Sequence, residues 1–263
     1  KKQIGATGTP FSAPIDLRTA FADIGGTADP LTVRLGRQEL AFGEQRLVGH
    51  SSWANAARTF DGARVTLRRR AVRLDVFATS VVRILDDEFD RSGNGNRFVG
   101  ADALATSRAG TLEPYVFWRR DLRLASESGP TGTLSQSTTG LRWTDTLPGR
   151  VGLSTEAALQ RGSLGPDDVR AWAAHAMLRS SSFAAQTMRV SGEYNFASGD
   201  GDPRDGVRGT FDQLYPTPHD KYGLADQVGW RNIHHVRAGV ELARFKRWPV
   251  TANYHTWWLA DRH

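Results

Sequence analysis

The 263-residue sequence contains no cysteine. That excludes a disulfide framework and any thiolate metal site. Long apolar runs are missing too. No stretch approaches the roughly eighteen consecutive apolar residues that a membrane-spanning helix requires. Helical periodicity is nowhere sustained. Lysine is scarce: of 34 basic residues only Lys1, Lys2, Lys221 and Lys246 are lysines, and the remainder are arginines. The chain opens on Lys1-Lys2-Gln3-Ile4, without Met or a signal peptide, and closes on the aromatic "WWLADRH". Both ends read as cut, as in a processed or incomplete chain.

What is present is polar and basic. The chain is 39% hydrophobic with a formal charge of +6, a mean hydropathy of -0.44 and a pI near 10.0. Arginine stays charged and grips planar anions bidentately, so the composition directs attention to nucleic acid, phosphate or acidic polysaccharide. Codon usage in a GC-rich genome is the plain alternative.

The recurring pattern is alternation. "VRLDVFATSVVRI" (72–84) sets Val72, Leu74, Val76, Ala78, Val82 and Ile84 against Arg73, Asp75, Thr79 and Arg83. "VGLSTEAALQ" (151–160) sets Val151, Leu153, Ala157 and Leu159 against Ser154, Glu156 and Gln160. This is the period of a strand with one apolar and one charged face. About twelve such segments follow one another: 16–24, 31–42, 58–69, 72–84, 97–108, 111–122, 137–147, 151–161, 168–179, 186–198, 233–245 and 249–260. The alanine-rich "DDVRAWAAHAMLR" (167–179) is the one rival for helix. It is read as a strand because its neighbours need a partner. Arg34 and Arg37 have opposite parity within 31–42, which predicts a bulge or register change there.

Connections alternate in length. Short ones fall at 69–73, 109–111, 147–150, 180–186 and 246–250. Longer ones fall at 43–56, 85–96, 123–137, 161–168 and 199–232. Tight turns at one end and larger loops at the other are the habit of an up-and-down outer-membrane barrel. Tryptophans at strand ends (Trp53, Trp118, Trp143, Trp172, Trp230, Trp248, Trp257, Trp258) suit interfacial girdles. The competing reading is a soluble all-β domain with one wet face.

Three stretches carry a resemblance: "RLGRQELAFGEQRLVGHSSWANAARTFDGARV" (34–65), "SGEYNFASGDGDPRDGVRGTFDQLYPTPHDKYGLADQVGWRNI" (191–233) and the closing "ANYHTWWLA" (252–260). Together they resemble the alginate export family of outer-membrane β-barrels. The resemblance implies an all-β, transmembrane, antiparallel up-and-down barrel in the outer membrane of a Gram-negative bacterium. It implies about 16–18 strands in the full protein, so that residues 1–263 form one barrel domain lacking N- and C-terminal strands. It also implies a passive channel for an anionic, alginate-like polysaccharide or other anionic solutes. A general porin, or a structural barrel within a larger surface assembly, is the alternative.

If the apolar faces meet lipid, Arg64, Arg68, Arg73, Arg83, Arg119, Arg142, Arg189 and Arg237 line the lumen, with Asp75, Glu113, Glu156, Glu193 and Glu241. An arginine on the lipid face at mid-depth costs about 2–4 kcal/mol, which pushes this whole set inward. Such a ring selects anions, although the same ions could simply pair across a plugged lumen. The long extracellular loop 199–232 reads as ordered, folded over or into the mouth. Its Arg204, Arg208, His219, Lys221 and Arg231 would meet an incoming anion, or the loop is a self-packed lid.

No cofactor is implied. Asp200, Asp202 and Asp205, spaced among glycines, suit Ca²⁺ as oxygen ligands, against the plainer reading of a solvated acidic turn. The adjacent His234 and His235 face opposite sides of a strand and cannot share a metal. No nucleophile elbow, phosphate loop or zinc-helix motif occurs. Glu113 and Glu156 could in principle act as paired carboxylates for glycoside cleavage, but charge pairs are common in lumens, so no enzyme is expected. Expected partners are outer-membrane lipid, an anionic polysaccharide or small anions, and periplasmic or surface proteins. Nucleic acid is not among them.

Overall fold

A computed structural model describes residues 17–51, 57–85, 89–126, 129–181, 188–242 and 250–262. The strands, in chain order, are β1 Ala20–Ile24, β2 Leu31–Gln38, β3 Phe60–Arg69, β4 Val72–Arg83, β5 Arg91–Ser107, β6 Gly110–Ala125, β7 Thr131–Leu147, β8 Val151–Leu164, β9 Asp167–Arg179, β10 Met188–Ala197, β11 Val207–Arg208, β12 Ile233–Leu242 and β13 Val250–Trp258. They form one sheet. Each strand from β1 to β10 pairs antiparallel with its successor, then β10 with β12 and β12 with β13. The two-residue β11 lies parallel to the start of β9. No described residue is in a helix.

Alternation sorts the faces as the periodicity predicts. In β4, Val72, Val76 and Ala78 are exposed, whereas Asp75, Phe77 and Thr79 are buried on the other side. In β9, Val169, Ala171 and Ala173 point inward, and Arg170 and Trp172 outward. This alanine-rich segment is a strand despite its local preference for helix. β8 and β10 take up its backbone hydrogen bonds on both sides, and tertiary pairing overrides propensity.

The strands run further than apolar alternation alone indicates. β5 begins at Arg91 and β7 at Thr131, inside stretches read as loops, and the expected long connection 161–168 shrinks to Gly165-Pro166. At these strand ends the outward face carries few apolar residues, so Gly, Ser, Thr and Asn continue the ladder without the signature of a strand. The bulge expected in 31–42 is absent. β2 pairs with β1 and β3 in continuous register, and the two arginines simply face opposite ways. Arg34 turns inward to Asp23 at 2.7 Å, and Arg37 outward to Asp61 at 2.8 Å. The register shifts lie elsewhere, between Ser80 and Val82 and between Asp121 and Leu124.

An aromatic row does run along the outer face: Trp172, Phe196, His234 and Trp258 sit at centroid spacings of 4.3, 5.0 and 5.2 Å. Trp230 is no part of a girdle. It is fully buried and donates to the Phe196 carbonyl. Trp53, Trp248 and most of the connections 180–186 and 246–250 lie outside the described residues.

The core lies inside the curve of the sheet. Inward Phe60, Phe77, Phe98 and Phe117 pack with Phe42 and Tyr215 from two inward-folded loops. Phe98 has ring neighbours at 4.9 Å (Tyr215), 5.1 Å (Phe77) and 5.5 Å (Phe117). Gly100 makes room for one of these rings, since a Cβ there would come within 2.7 Å of Phe117. Phe98→Ala is expected to lower stability by about 3–5 kcal/mol, measured by urea unfolding in lipid vesicles. Val99→Ala, the adjacent outward position, is expected to cost far less.

Candidate functional site

Two loops enter the lumen from the long-loop end. Residues 39–50 follow β2, and residues 209–232 follow β11. They zip together in parallel through the bridge Val48–Tyr215. Gly49 N donates to the Tyr215 carbonyl at 2.8 Å, Tyr215 N to Leu47 O at 2.8 Å, and Thr217 N to Gln45 O at 2.9 Å. Gln160 on β8 pins the second loop with both ends of its amide. Its Nε2 donates to the Asp212 carbonyl at 2.7 Å, and its Oε1 accepts from Asp212 N at 2.8 Å. Arg119 closes the same corner on the Asp212 carboxylate at 2.7 Å.

Arg46, on the first loop, is 2% exposed and central. Its guanidinium donates to Glu193 at 2.9 Å, to Asn195 Oδ1 at 3.2 Å and to Glu44 at 3.2 Å. Tyr222 Oη of the second loop lies 3.4 Å away. Arg237 closes on the other oxygen of Glu193. Asn195 relays the network through His175 Nδ1 at 2.8 Å and His235 Nδ1 at 2.9 Å. A second knot joins Glu44 to Arg142 at 2.9 Å and Arg142 to Glu113 at 3.0 Å, with Gly43 N on Glu113 at 2.9 Å. A guanidinium removed from water requires such carboxylates and hydrogen bonds, although Arg46 Nε and Arg142 Nε stay without a hydrogen-bond partner among the described residues.

The residues singled out in the sequence therefore fall into separate groups. Glu113, Arg142, Glu193 and Arg237 belong to the central network. Glu156 accepts from Tyr115 Oη at 2.8 Å. Arg73 pairs with Asp75 at 2.9 Å, and Asp102 lies 3.6 Å away. Arg64 stands 3.9 Å from Asp75, and Arg68 donates to Thr32 Oγ1 at 3.1 Å. Near the short-turn end, Arg179 pairs with Glu241 at 2.5 Å, with Arg189 3.9 Å from the same carboxylate. Arg83 keeps the parity of the inward row, two residues beyond core-facing Val81, and is exposed at the end of β4.

Of the five basic residues expected to meet an anion in 199–232, Arg204 and Arg231 are exposed. Arg208 is buried, Lys221 pairs with Asp220 at 2.6 Å and His219 with Asp226 at 3.1 Å. Asp200, Asp202 and Asp205 each accept from a backbone N–H in or beside their own turn. No metal-holding cluster of three acidic or histidine side chains occurs among the described residues. His234 and His235 do face opposite sides, the first on Tyr194 and the second on Asn195. The cavity between Glu113 and Glu156 measures about 10 Å³, room for one water and none for a sugar ring.

Sequence reasoning missed Arg46, Glu44 and the inward phenylalanines, and set Gln160 on the polar face without its role in pinning the loop. Arg46 sits in a loop without periodicity, so nothing local marks it as inward. Phe77 shares its face with Asp75 and Thr79, and an apolar residue there reads as noise in a polar row.

Burial alone would raise the Glu44 carboxyl, but Arg46 and Arg142 beside it hold it at about 2, from an ordinary 4.5. A depressed carboxyl contributes stability above its unfolded pKa and loses it as the pH falls through the folded value. The first loop is thus expected to loosen between about pH 4.5 and pH 2, read as faster amide exchange at Gly43 and Gly49. Glu44→Gln is expected to remove that pH dependence.

The family model for alginate export matches residues 5–263. No curated protein matches the chain. Among solved structures, the fold is similar to Pseudomonas aeruginosa OpdQ, with a TM-score of 0.56 and 13% identity over 90% of this chain and 62% of that one. It is also similar to Pseudomonas aeruginosa OccK8 (OprE), with a TM-score of 0.55 and 13% identity over 86% and 63%. The chain thus spans less than two thirds of either of these relatives. Its antiparallel strands, paired in chain order, share the fold of these outer-membrane barrels, and with the family matched over almost its whole length, the chain belongs to the alginate export family.

Proposed function

We propose that the chain forms the wall and inner loops of an outer-membrane channel that passes an anionic polysaccharide of the alginate type, or another anionic solute, through an arginine-rich lumen. The observation that carries this reading is the inner wall near the short β3–β4 turn. There Arg64, Arg68 and Arg73 are only half-buried, and Arg68 has no carboxylate within ion-pair distance among the described residues. Arg179 and Arg189 stand similarly open on β9 and β10, sharing Glu241. Short turns mark the periplasmic end of such barrels. An anion arriving from the periplasm thus meets guanidinium groups before it meets the inward loops. In a narrow, partly desolvated passage these attract carboxylates, and the interspersed Asp75, Asp102 and Glu241 keep a polymer from being held at one place.

A second reading, a plugged barrel serving as a structural or companion subunit, is favoured by one feature. The aromatic cluster and zipped loops fill the lumen beside β3–β6.

The test is the reversal potential of the full-length protein in a planar bilayer under a salt gradient, followed by added polyuronate. Anion selectivity with polymer block is expected. Arg68→Gln combined with Arg189→Gln is expected to lower the anion preference several-fold with heat-modifiable gel mobility unchanged. Selectivity identical to wild type would sink the lumenal assignment, and no conductance at all would establish the plugged barrel.

A further inference from the structure

Arginines stand opposite each other across the ladder on both faces, but the inward pairs Arg34–Arg64 and Arg68–Arg73 have Asp23 and Asp75 beside them. Inside, Arg34, Arg46, Arg73, Arg119, Arg142 and Arg237 each lie against a carboxylate. Outside, at the long-loop end, two pairs of arginines face each other with less relief. Arg97 on β5 is directly opposite Arg120 on β6, and Arg161 on β8 is directly opposite Arg170 on β9. Like charges directly opposite in a ladder are destabilising. Neither Arg97 nor Arg120 has a carboxylate within ion-pair distance among the described residues. Arg161 donates only to its neighbour's carbonyl, Gln160 O, at 2.7 Å, and Arg170 shares a largely exposed pair with Asp168 at 2.9 Å.

Their height is the second observation. Two residues further down the outward face from Arg97 and Arg120 come Val99 and Trp118, which are themselves cross-strand partners. Two residues down from Arg161 and Arg170 come Leu159 and Trp172, again partners. Both arginine pairs therefore stand one outward position above the apolar, tryptophan-bearing band. Tryptophan marks the membrane–water interface, and arginine at that level costs only about 0–1 kcal/mol. Between the pairs runs β7, which presents Ser135 beside Arg120 and Ser137 beside Arg161. Ser135 accepts from the Trp118 indole and Ser137 donates to the Arg161 carbonyl, each at 3.1 Å, so β7 carries only small side chains between pairs that stand about 10 Å apart, two strand spacings.

We propose that these four arginines form a binding site for the phosphate groups of the glycolipid that builds the outer leaflet of a Gram-negative outer membrane. Each arginine pair takes one phosphate bidentately, which converts a like-charge repulsion into a bridged contact. The serines of β7 lie under the sugar between the two phosphates. The acyl chains descend over Val99, Trp118, Leu159 and Trp172. Basic clusters at a membrane interface recognise phosphorylated head groups by this chemistry.

The test uses the full-length protein in lipid-free detergent, titrated separately with diphosphoryl lipid A, dephosphorylated lipid A, phosphatidylglycerol and inorganic phosphate. Binding is read by native mass spectrometry and by the shift in Tm. Diphosphoryl lipid A is expected to bind and raise Tm. Arg97→Ser with Arg120→Ser is expected to bind it about tenfold more weakly, while its lipid-free Tm stays equal or rises because the repulsion is gone. Adding Arg161→Ser and Arg170→Ser is expected to abolish the shift. If the serine variants fail to fold, Arg97→Lys with Arg120→Lys carries the test: it retains charge, loses the planar fork, and is expected to bind at intermediate strength. Equal binding by wild type and the variants, or equal binding of dephosphorylated lipid A, would overturn the site. Equal response to phosphatidylglycerol or inorganic phosphate would overturn the glycolipid as its occupant.

Discussion

A backbone that enters hydrocarbon must hand every N–H and C=O group to another backbone, because no water is there to take them. That one constraint organises this molecule. It makes neighbouring strands pair in chain order from β1 to β13, apart from the two-residue β11. It lets alanine-rich β9 exist as a strand. It also divides the side chains into two populations with no intermediate choice, since successive residues must point to opposite faces. Once Val72, Val76 and Ala78 of β4 are given to lipid, Arg73, Asp75 and Thr79 have only the lumen left.

The lumen then acquires a requirement of its own. Charges collected on an inward face must find partners there, and the sheet alone does not supply enough of them at the right distance. The two inward loops complete the set. Glu44 reaches Arg142, Arg46 reaches Glu193, and Asp212 reaches Arg119. Apolar packing accompanies the ions: Phe42 and Tyr215 complete the aromatic cluster that Phe60, Phe77, Phe98 and Phe117 begin. The loops are thus held by two kinds of force at once. Changing the charge on Glu44 relaxes one of them and leaves the other in place.

How much of this was legible in the sequence follows the same division. Period-two alternation reports the part of each strand that touches lipid, so the existence and facing of β3, β4, β6, β8, β9 and β10 could be read directly. Strand ends in water carry no such pattern, and Thr131–Ser137 or Arg91–Asn96 therefore read as loops. Parity alone misled at Arg34 and Arg37. An outward arginine near the rim needs only a partner such as Asp61, and a bulge is unnecessary. The inward assignment of Arg64, Arg68, Arg73, Arg119, Arg142 and Arg237 followed from cost. What they touch did not, because Arg46 and Asp212 come from loops whose path is decided by tertiary contact.

The bridge between Val48 and Tyr215 also bears on how such a barrel is made. Ser51 and Thr217, hydrogen-bonded beside it, are 166 residues apart in the chain. Contacts of such separation repay the entropy of closing their loop only when the intervening chain is already ordered. The strands between them must accordingly be paired, and the sheet curved, before the two loops can meet. Loop insertion is thus expected late in assembly, and the zipped loops then act as a latch on the curvature of the sheet.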